Sequence, residues 1–239
     1  VTAFPRQHTL SFMCGRFTQY TDPRRLARQF EISETKIRVF DIRPRYNVAP
    51  TQPVLAVRLD HEGERELVPL TWGLLPFWAK ESKLPYSTIN ARAETVADKP
   101  AYRQPFRKRR CLIPADLFYE WKAEGTGKQP YAIGLESGEP FSLAGLWDRW
   151  EGDGQTIESC TIIVTQANAL MATIHDRMPV ILPPSAYDVW LDPKTPLETA
   201  QALLQPFTAE PMRLYPVSRR VNSPKNDDPT LVEPLAQAI

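Results

Sequence analysis

Residues 53–72 read Pro53-Val54-Leu55-Ala56-Val57-Arg58-Leu59-Asp60-His61-Glu62-Gly63-Glu64-Arg65-Glu66-Leu67-Val68-Pro69-Leu70-Thr71-Trp72. Pro53 to Leu59 is an apolar, β-branched run that reads as a strand. Asp60 to Glu64, with Gly63, is a turn, and Leu67 to Trp72 returns as a second strand. The pattern recurs downstream in Cys111–Trp121, Tyr131–Leu135, Phe141–Leu146, Glu158–Thr165, Met178–Leu182 and Pro211–Val217, with Gly125, Gly127, Gly138, Gly152 and Gly154 in the connections. Short turns favour antiparallel neighbours, because a parallel pair needs a crossover of roughly a dozen residues. Helices are few. Asp22-Pro23 is a cap followed by an N1 proline ahead of Leu26, Ala27 and Phe30, and Thr195-Pro196 starts a second helix through Leu204. Asn168–Ile174 is a short helix. The expectation is one α+β domain over 14–234, with a largely antiparallel, curved or barrel-like sheet flanked by a few helices. Residues 1–13 read as an N-terminal extension and 235–239 as a tail, and the Pro- and Asp-rich stretch after Val217 reads as extended.

The chain has 239 residues, 42% hydrophobic and 24% charged, enough to bury one sizeable core. No apolar window of about 18 residues is present, so no membrane-spanning segment is expected. Three cysteines, Cys14, Cys111 and Cys160, lie far apart in an odd count. That argues against a disulfide framework and suits a reducing cytoplasm. Without a C-x-x-C or a paired-histidine spacing, neither a metal nor a cofactor is expected. Cys111 and Cys160 fall in apolar strand patterns and read as inert buried thiols. Net charge is +1, so a nucleic-acid face has to come from uneven distribution. The densest basic run, Arg103, Arg107, Lys108, Arg109 and Arg110, is equally a DNA-tracking patch and a solvated helix end.

Five segments do not follow ordinary packing patterns: Met13-Cys14-Gly15-Arg16-Phe17, Tyr46-Asn47-Val48-Ala49-Pro50, Ile89-Asn90-Ala91-Arg92-Ala93-Glu94-Thr95, Phe118-Tyr119-Glu120-Trp121 and Ile174-His175-Asp176-Arg177-Met178-Pro179. With Trp72-Gly73 and Pro216-Val217-Ser218, their order resembles the SRAP (SOS response-associated peptidase) family from Met13 to about Pro234. The resemblance implies a monomer that crosslinks to abasic sites in single-stranded DNA. It makes Cys14 the catalytic cysteine, with Asn90, Glu120 and His175 as the other active-site residues. Arg16, Arg92 and Arg177 match phosphate-holding positions, Pro50 and Trp78 lie against the bases flanking the lesion, and Thr165 joins the DNA-contacting set.

The residue chemistry fits that implication under one condition. An N-terminal cysteine carries amine and thiol on adjacent carbons, so both can add to one aldehyde carbon and close a five-membered thiazolidine. An internal cysteine has only an amide nitrogen, whose lone pair is delocalised. Thirteen residues precede Cys14. Either Met13 is the true first residue, removed ahead of the small Cys14, or a precursor is cut between them. Glu120 among Phe118, Tyr119 and Trp121 reads as a proton shuttle with a raised pKa, or as a surface glutamate on a polar strand face. His175 is a polarising group or a structural histidine, and Asn90 an orienting amide or a turn residue. Trp72 reads as core, and Trp78 as the exposed stacking platform of a proline-bounded loop that also carries Phe77. Two rival functions stay open: a cysteine peptidase, self-processing or not, using Cys14 and His175, and a non-catalytic single-strand binder.

Overall fold

The computed structural model describes residues 14–38, 43–84, 87–125 and 127–236. The expected extension, 1–13, lies outside them. In chain order the elements are β1 (Arg16–Gln19), α1 (Pro23–Gln29), β2 (Arg45–Val48), β3 (Pro53–Leu59), β4 (Arg65–Trp72), β5 (Asn90–Arg92), α2 (Arg103–Lys108), β6 (Arg110–Ala115), β7 (Phe118–Glu124), β8 (Gly127–Leu135), β9 (Phe141–Gly152), β10 (Gln155–Gln166), β11 (Arg177–Pro179), β12 (Ile181–Leu182), α3 (Tyr187–Leu191), α4 (Leu197–Ala202) and β13 (Met212–Pro216).

The expected β3–β4 hairpin forms in register from Pro53↔Thr71 to Leu59↔Arg65. Its run is apolar throughout because both faces are buried. Val54 and Ala56 enter a core shared with Phe17, Phe118 and Met212, whereas Leu55 and Val57 enter one shared with α1, α3 and α4. Strands β4, β3, β6, β9 and β10 follow one another, and β10 pairs with both β9 and β4, which closes a barrel. A second, antiparallel sheet has the order β13-β8-β7-β1-β2. The architecture is the expected α+β, mostly antiparallel one. Apart from an isolated parallel bridge between Ile37 and Leu67, its parallel strand pairs lie on β10, where Cys160 pairs with Trp72 of β4 and Ile162 with Asn90 of β5. The chain leaves that edge at Trp72, makes the 73–89 loop, and resumes the same edge at Asn90. Gly145 stands where three strands converge on β9; a Cβ there would meet Cys111 Sγ and Ile113 Cδ1 at 2.9 Å.

Several expectations need correction. Cys111–Trp121 is two strands in two sheets, broken at Asp116-Leu117. The buried Asp116 carboxylate accepts the N–H groups of Tyr20 (2.6 Å) and Thr21 (3.1 Å) and turns the chain. Met178–Leu182 splits because Val180 bonds Ile163 of β10 on one side and Ala144 of β9 on the other, so pairing passes from β10 to β9. The helix expected from Thr195 runs only over Leu197–Ala202 with Pro196 at its cap, since the Thr195 hydroxyl donates to Val189 O instead. Asn168–Ile174 contains only a 3-10 turn, Met171–Thr173. After Val217 the chain is not extended but makes 3-10 turns at Arg219–Asn222 and Pro229–Val232, and Leu235, the start of the expected tail, bonds Pro216 O. The basic run spans α2, its C-cap Arg109 and the start of β6, and its last arginine is structural. Arg110 is buried and donates to Phe106 O (2.7 Å), Trp190 O (2.5 Å) and Asp192 O, joining α2 to α3. Cys111 and Cys160 are free and buried, as expected.

The C-terminal segment is fastened to β2 through Asp227. One carboxylate accepts Tyr46 N–H (2.5 Å), Asn47 N–H (3.0 Å) and Arg45 Nε (2.6 Å). Asp227→Ala leaves these donors without that partner and is expected to cost about 1–3 kcal/mol. Urea unfolding measures it, and a midpoint equal to the parent's would refute the fastening.

Candidate active site

Strand pairing builds the centre. In β1–β7, Arg16 is opposite Tyr119 and Phe17 opposite Phe118. Cys14 therefore runs just past the register position of Glu120. The backbone nitrogen of Cys14 donates to Glu120 Oε1 at 2.5 Å, and the same carboxyl lies close enough to the Cys14 thiol to raise its pKa. Both residues are buried, 3% and 2% exposed, so water does not compete for the contact. Glu120 is thus not the surface glutamate that its strand position allows. Phe17 anchors this strand to the barrel, its ring edge-on to Trp72 at 5.0 Å.

Burial raises the Glu120 pKa, partly offset by the Cys14 hydrogen bonds and by the nearby His175. Burial also pushes the Cys14 thiol well up, and Glu120 adds to the rise. The centre therefore favours a protonated thiol beside a carboxyl that keeps its proton to higher pH than an exposed glutamate does. Cys14 has φ 43°, a left-handed backbone that costs a non-glycine residue on the order of 1 kcal/mol. A residue that begins a chain has no φ, so this strain exists only while Cys14 is in peptide linkage.

His175 Nδ1 accepts the Arg177 backbone N–H at 3.1 Å, and Asp176 Oδ1 lies 3.0 Å from the same nitrogen. These contacts demand opposite states of Nδ1. The amide donor is fixed in β11, while the Asp176 side chain is 87% exposed and solvated. We therefore assign the neutral ring's proton to Nε2.

The other sequence-derived residues fall into separate groups. Arg92 on β5 pairs in register with Val164, and Arg177 on β11 with Gln166, so β10 carries both at one end. Glu94 ion-pairs with Arg177 there, and Arg92 adds to the field that holds its carboxyl low against the opposing effect of burial. Arg16 is half-buried with its fork engaged by Asn47 Oδ1 (2.9 Å), Val221 O (2.9 Å) and Asn222 O (3.2 Å). Asn90 opens β5, its carbonyl accepting from Tyr102 Oη at 3.1 Å. Thr165 is buried and its hydroxyl donates to Leu204 O. Trp72 is core, as expected, and Trp78 is 45% exposed. Pro50 lines a groove under the 73–89 loop with Trp72, Leu74 and Ile157.

Sequence reasoning missed Asn47, whose amide donates to Val221, Ser223 and Asn226 carbonyls and so holds the C-terminal segment against Arg16. Its place in the unusual Tyr46–Pro50 segment was the available signal. Asp227 had none, since a Pro- and Asp-rich tail looks solvated. Among the described residues one acidic cluster has metal-like spacing, Asp60, Glu62 and Glu64. The Lys36 ammonium pairs with all three at 2.5–2.9 Å and sits where an ion would, offsetting part of their charge. No helix among them is long and apolar enough to cross a membrane.

Fold and centre together define an α+β barrel protein with a buried cysteine whose nitrogen is bonded to a buried carboxyl. The chain belongs to the SRAP (SOS response associated peptidase) family, whose model matches residues 13–224. It is 46% identical to abasic site processing protein YoqW of Bacillus subtilis (strain 168), over 92% of this chain and 99% of that protein. It is 36% identical to abasic site processing protein HMCES of Gallus gallus, over 82% of this chain and 68% of that protein. A crystal structure of a Bacteroides thetaiotaomicron protein superposes with a TM-score of 0.81 at 29% identity, covering 93% of this chain and all of the other. A phage-related protein of Bordetella bronchiseptica gives 0.69 at 30% identity, covering 86% and 95%.

The raised carboxyl makes a pH prediction. A folded state that holds the Glu120 proton more tightly than the unfolded chain loses stability as pH rises from the ordinary glutamate range through the raised folded value. Glu120→Gln removes that loss. Urea unfolding at about pH 5 and about pH 8 should show the variant gaining on its parent at the higher pH. An equal difference at both would show that the carboxyl is not proton-holding.

Proposed function

We propose that this protein processes abasic sites in single-stranded DNA by joining Cys14, once its α-amine is free, to the sugar aldehyde of the lesion. The observation that carries the reading is the buried carboxyl of Glu120, bonded to the Cys14 nitrogen and close enough to the thiol to raise its pKa. In the present linkage that nitrogen is an amide standing in for the amine. A free α-amine has a pKa of about 7.7–8.0, so a useful neutral fraction exists near neutrality. The amine adds to the aldehyde carbon to give a carbinolamine. Protonated Glu120 donates to the departing hydroxyl, water leaves, and a Schiff base remains. The Schiff base keeps its N–H proton as an iminium; the sulfur adds to its carbon, the C=N electron pair returns to nitrogen, and the thiol proton returns to Glu120. The thiazolidine forms with net loss of one water and no oxidant.

A protonated thiol suits this order, because the amine attacks first and the sulfur follows intramolecularly. His175, donating from Nε2, can polarise the sugar oxygen, and the Asn90 amide can orient the amine. Arg92 and Arg177 would hold backbone phosphates without reading sequence, and Trp78 and Pro50 would pack against flanking bases. Arg16 and Thr165, already bonded within the protein, would act from the edges of the strand path.

The peptidase reading draws support from the strained φ of Cys14, which self-cleavage ahead of that residue would relieve. A Cys14–His175 dyad is disfavoured by the raised thiol and by the Arg177 amide on Nδ1.

The test uses protein beginning at Cys14, mixed with an abasic oligonucleotide and run on a denaturing gel. A shifted band is expected, with none from Cys14→Ala and, from Cys14→Ser, one that survives only after borohydride reduction. Acetylating the amine should abolish the band while sparing thiol-dependent proteolysis. A band of equal strength from protein with Met13 still attached would sink the amine step. No band from protein beginning at Cys14 would sink the crosslinking reading, and complexes dissociated by salt alone would leave a simple binder.

A further inference from the structure

Phe77 and Trp78 are 51% and 45% exposed, adjacent large apolar rings in solvent. They occupy the tip of a turn closed by Ala79 N–H on Pro76 O at 2.9 Å. The hydrophobic effect alone would fold such rings onto the surface. Here the backbone beneath them is pinned at every second residue. Leu75 N–H donates to Ser159 Oγ (2.8 Å), Phe77 N–H to Asp148 Oδ2 (3.0 Å), and Ala79 O accepts Trp150 Nε1–H (2.7 Å). On the other side, Trp78 Nε1–H reaches Pro100 O at 3.3 Å.

All three pins come from one face of the β9–β10 hairpin. Asp148 and Trp150 are two apart on β9, and Ser159 is directly opposite Asp148. All three are buried. A buried carboxylate is costly unless every acceptor is used. Asp148 takes Phe77 N–H, Arg149 N–H (2.9 Å) and Arg109 Nη1 (2.6 Å). The hairpin does not require an acid there, since its backbone ladder runs unbroken from Gln155↔Gly152 to Ile162↔Gly145. What Asp148 adds is a fixed loop, and beside it a fixed cation, because Arg109 shares the carboxylate and lies over the Trp147 ring at 5.6 Å.

We propose that Asp148, supported by Ser159 and Trp150, is a positioning residue that holds the Phe77–Trp78 turn as a preformed stacking platform for the bases of single-stranded DNA. The proposal rests on the DNA reading above. Its effect is to remove the ordering cost that a mobile loop would add on binding. Because Asp148 itself meets no phosphate, it acts on affinity without changing the salt dependence of binding.

The experiment measures binding of an intact, fluorescently labelled single strand to the protein and its variants. Trp78→Ala is expected to weaken binding at least about fivefold. Asp148→Asn should weaken it to a similar degree with an unchanged salt slope, and the two losses should not add in the double variant. At saturating abasic strand, the adduct-forming rate of Asp148→Asn should stay within about twofold of the parent, an effect on KM rather than kcat. Ser159→Ala is the second variant, expected to show a smaller loss that again does not add to Trp78→Ala. Additive losses, or unchanged affinity in both Asp148→Asn and Ser159→Ala, overturn the positioning role. If the parent protein itself neither binds single strands nor forms an adduct, it is the functional reading that fails.

Discussion

A hydrogen bond from the Cys14 nitrogen to Glu120, shielded from water, is the contact on which the centre depends. It exists because β1 and β7 are antiparallel with Arg16 against Tyr119, which leaves the start of β1 overhanging the middle of β7. A slip of one residue would turn Glu120 to the opposite face and part it from Cys14. Several long-range contacts hold the register. Gln19 exchanges bonds with Leu55 of the β3 strand and donates to Pro114 O, Thr18 bonds Leu117, and Phe17 meets Trp72. Four consecutive residues of β1 are thus tied to four other segments, with Arg16 reaching the C-terminal turn.

That last tie joins the two ends of the domain. Residues 221–227 lie against β2 because Asn47 and Asp227 satisfy backbone groups on either side of the junction. Tyr119 Oη donates to Tyr46 O, so β7 feels the same junction. The start of β1 is therefore built from residues about 200 positions apart in sequence.

The sequence made the β3–β4 hairpin and the Asp22-capped helix legible because a local pattern decides them, two apolar runs about a Gly63 turn in one and a cap with proline in the other. It did not show where Cys111–Trp121 changes sheets, since both halves are apolar and the break depends on Asp116 meeting Tyr20 and Thr21 nearly a hundred residues away. The strands β1, β2 and β5 are too short for periodicity to register. In the centre, residue chemistry alone left Glu120 open between proton shuttle and surface acid. Burial excluded the surface acid, and burial is a tertiary property. Asp148 was illegible for the same reason: an acid between Trp147 and Arg149 reads as the polar face of a strand, until the loop it pins is seen.

The state of the Cys14 nitrogen also sets the state of its carboxyl. An amide donor is neutral, so a buried Glu120 facing it is driven by desolvation to keep its proton. An α-amine in the same place can be protonated, and an ammonium at that distance would favour the carboxylate, forming a buried pair. Freeing the nitrogen would therefore do two things at once. It would create the nucleophile, and it would allow the adjacent acid and base to exchange one proton. Amine attack needs the neutral amine with the neutral acid, the arrangement reached when that proton sits on Glu120. Burial favours this neutral pair over the charged one. On that reading the burial of Glu120 would be as much a part of the nucleophile's activation as the amine itself.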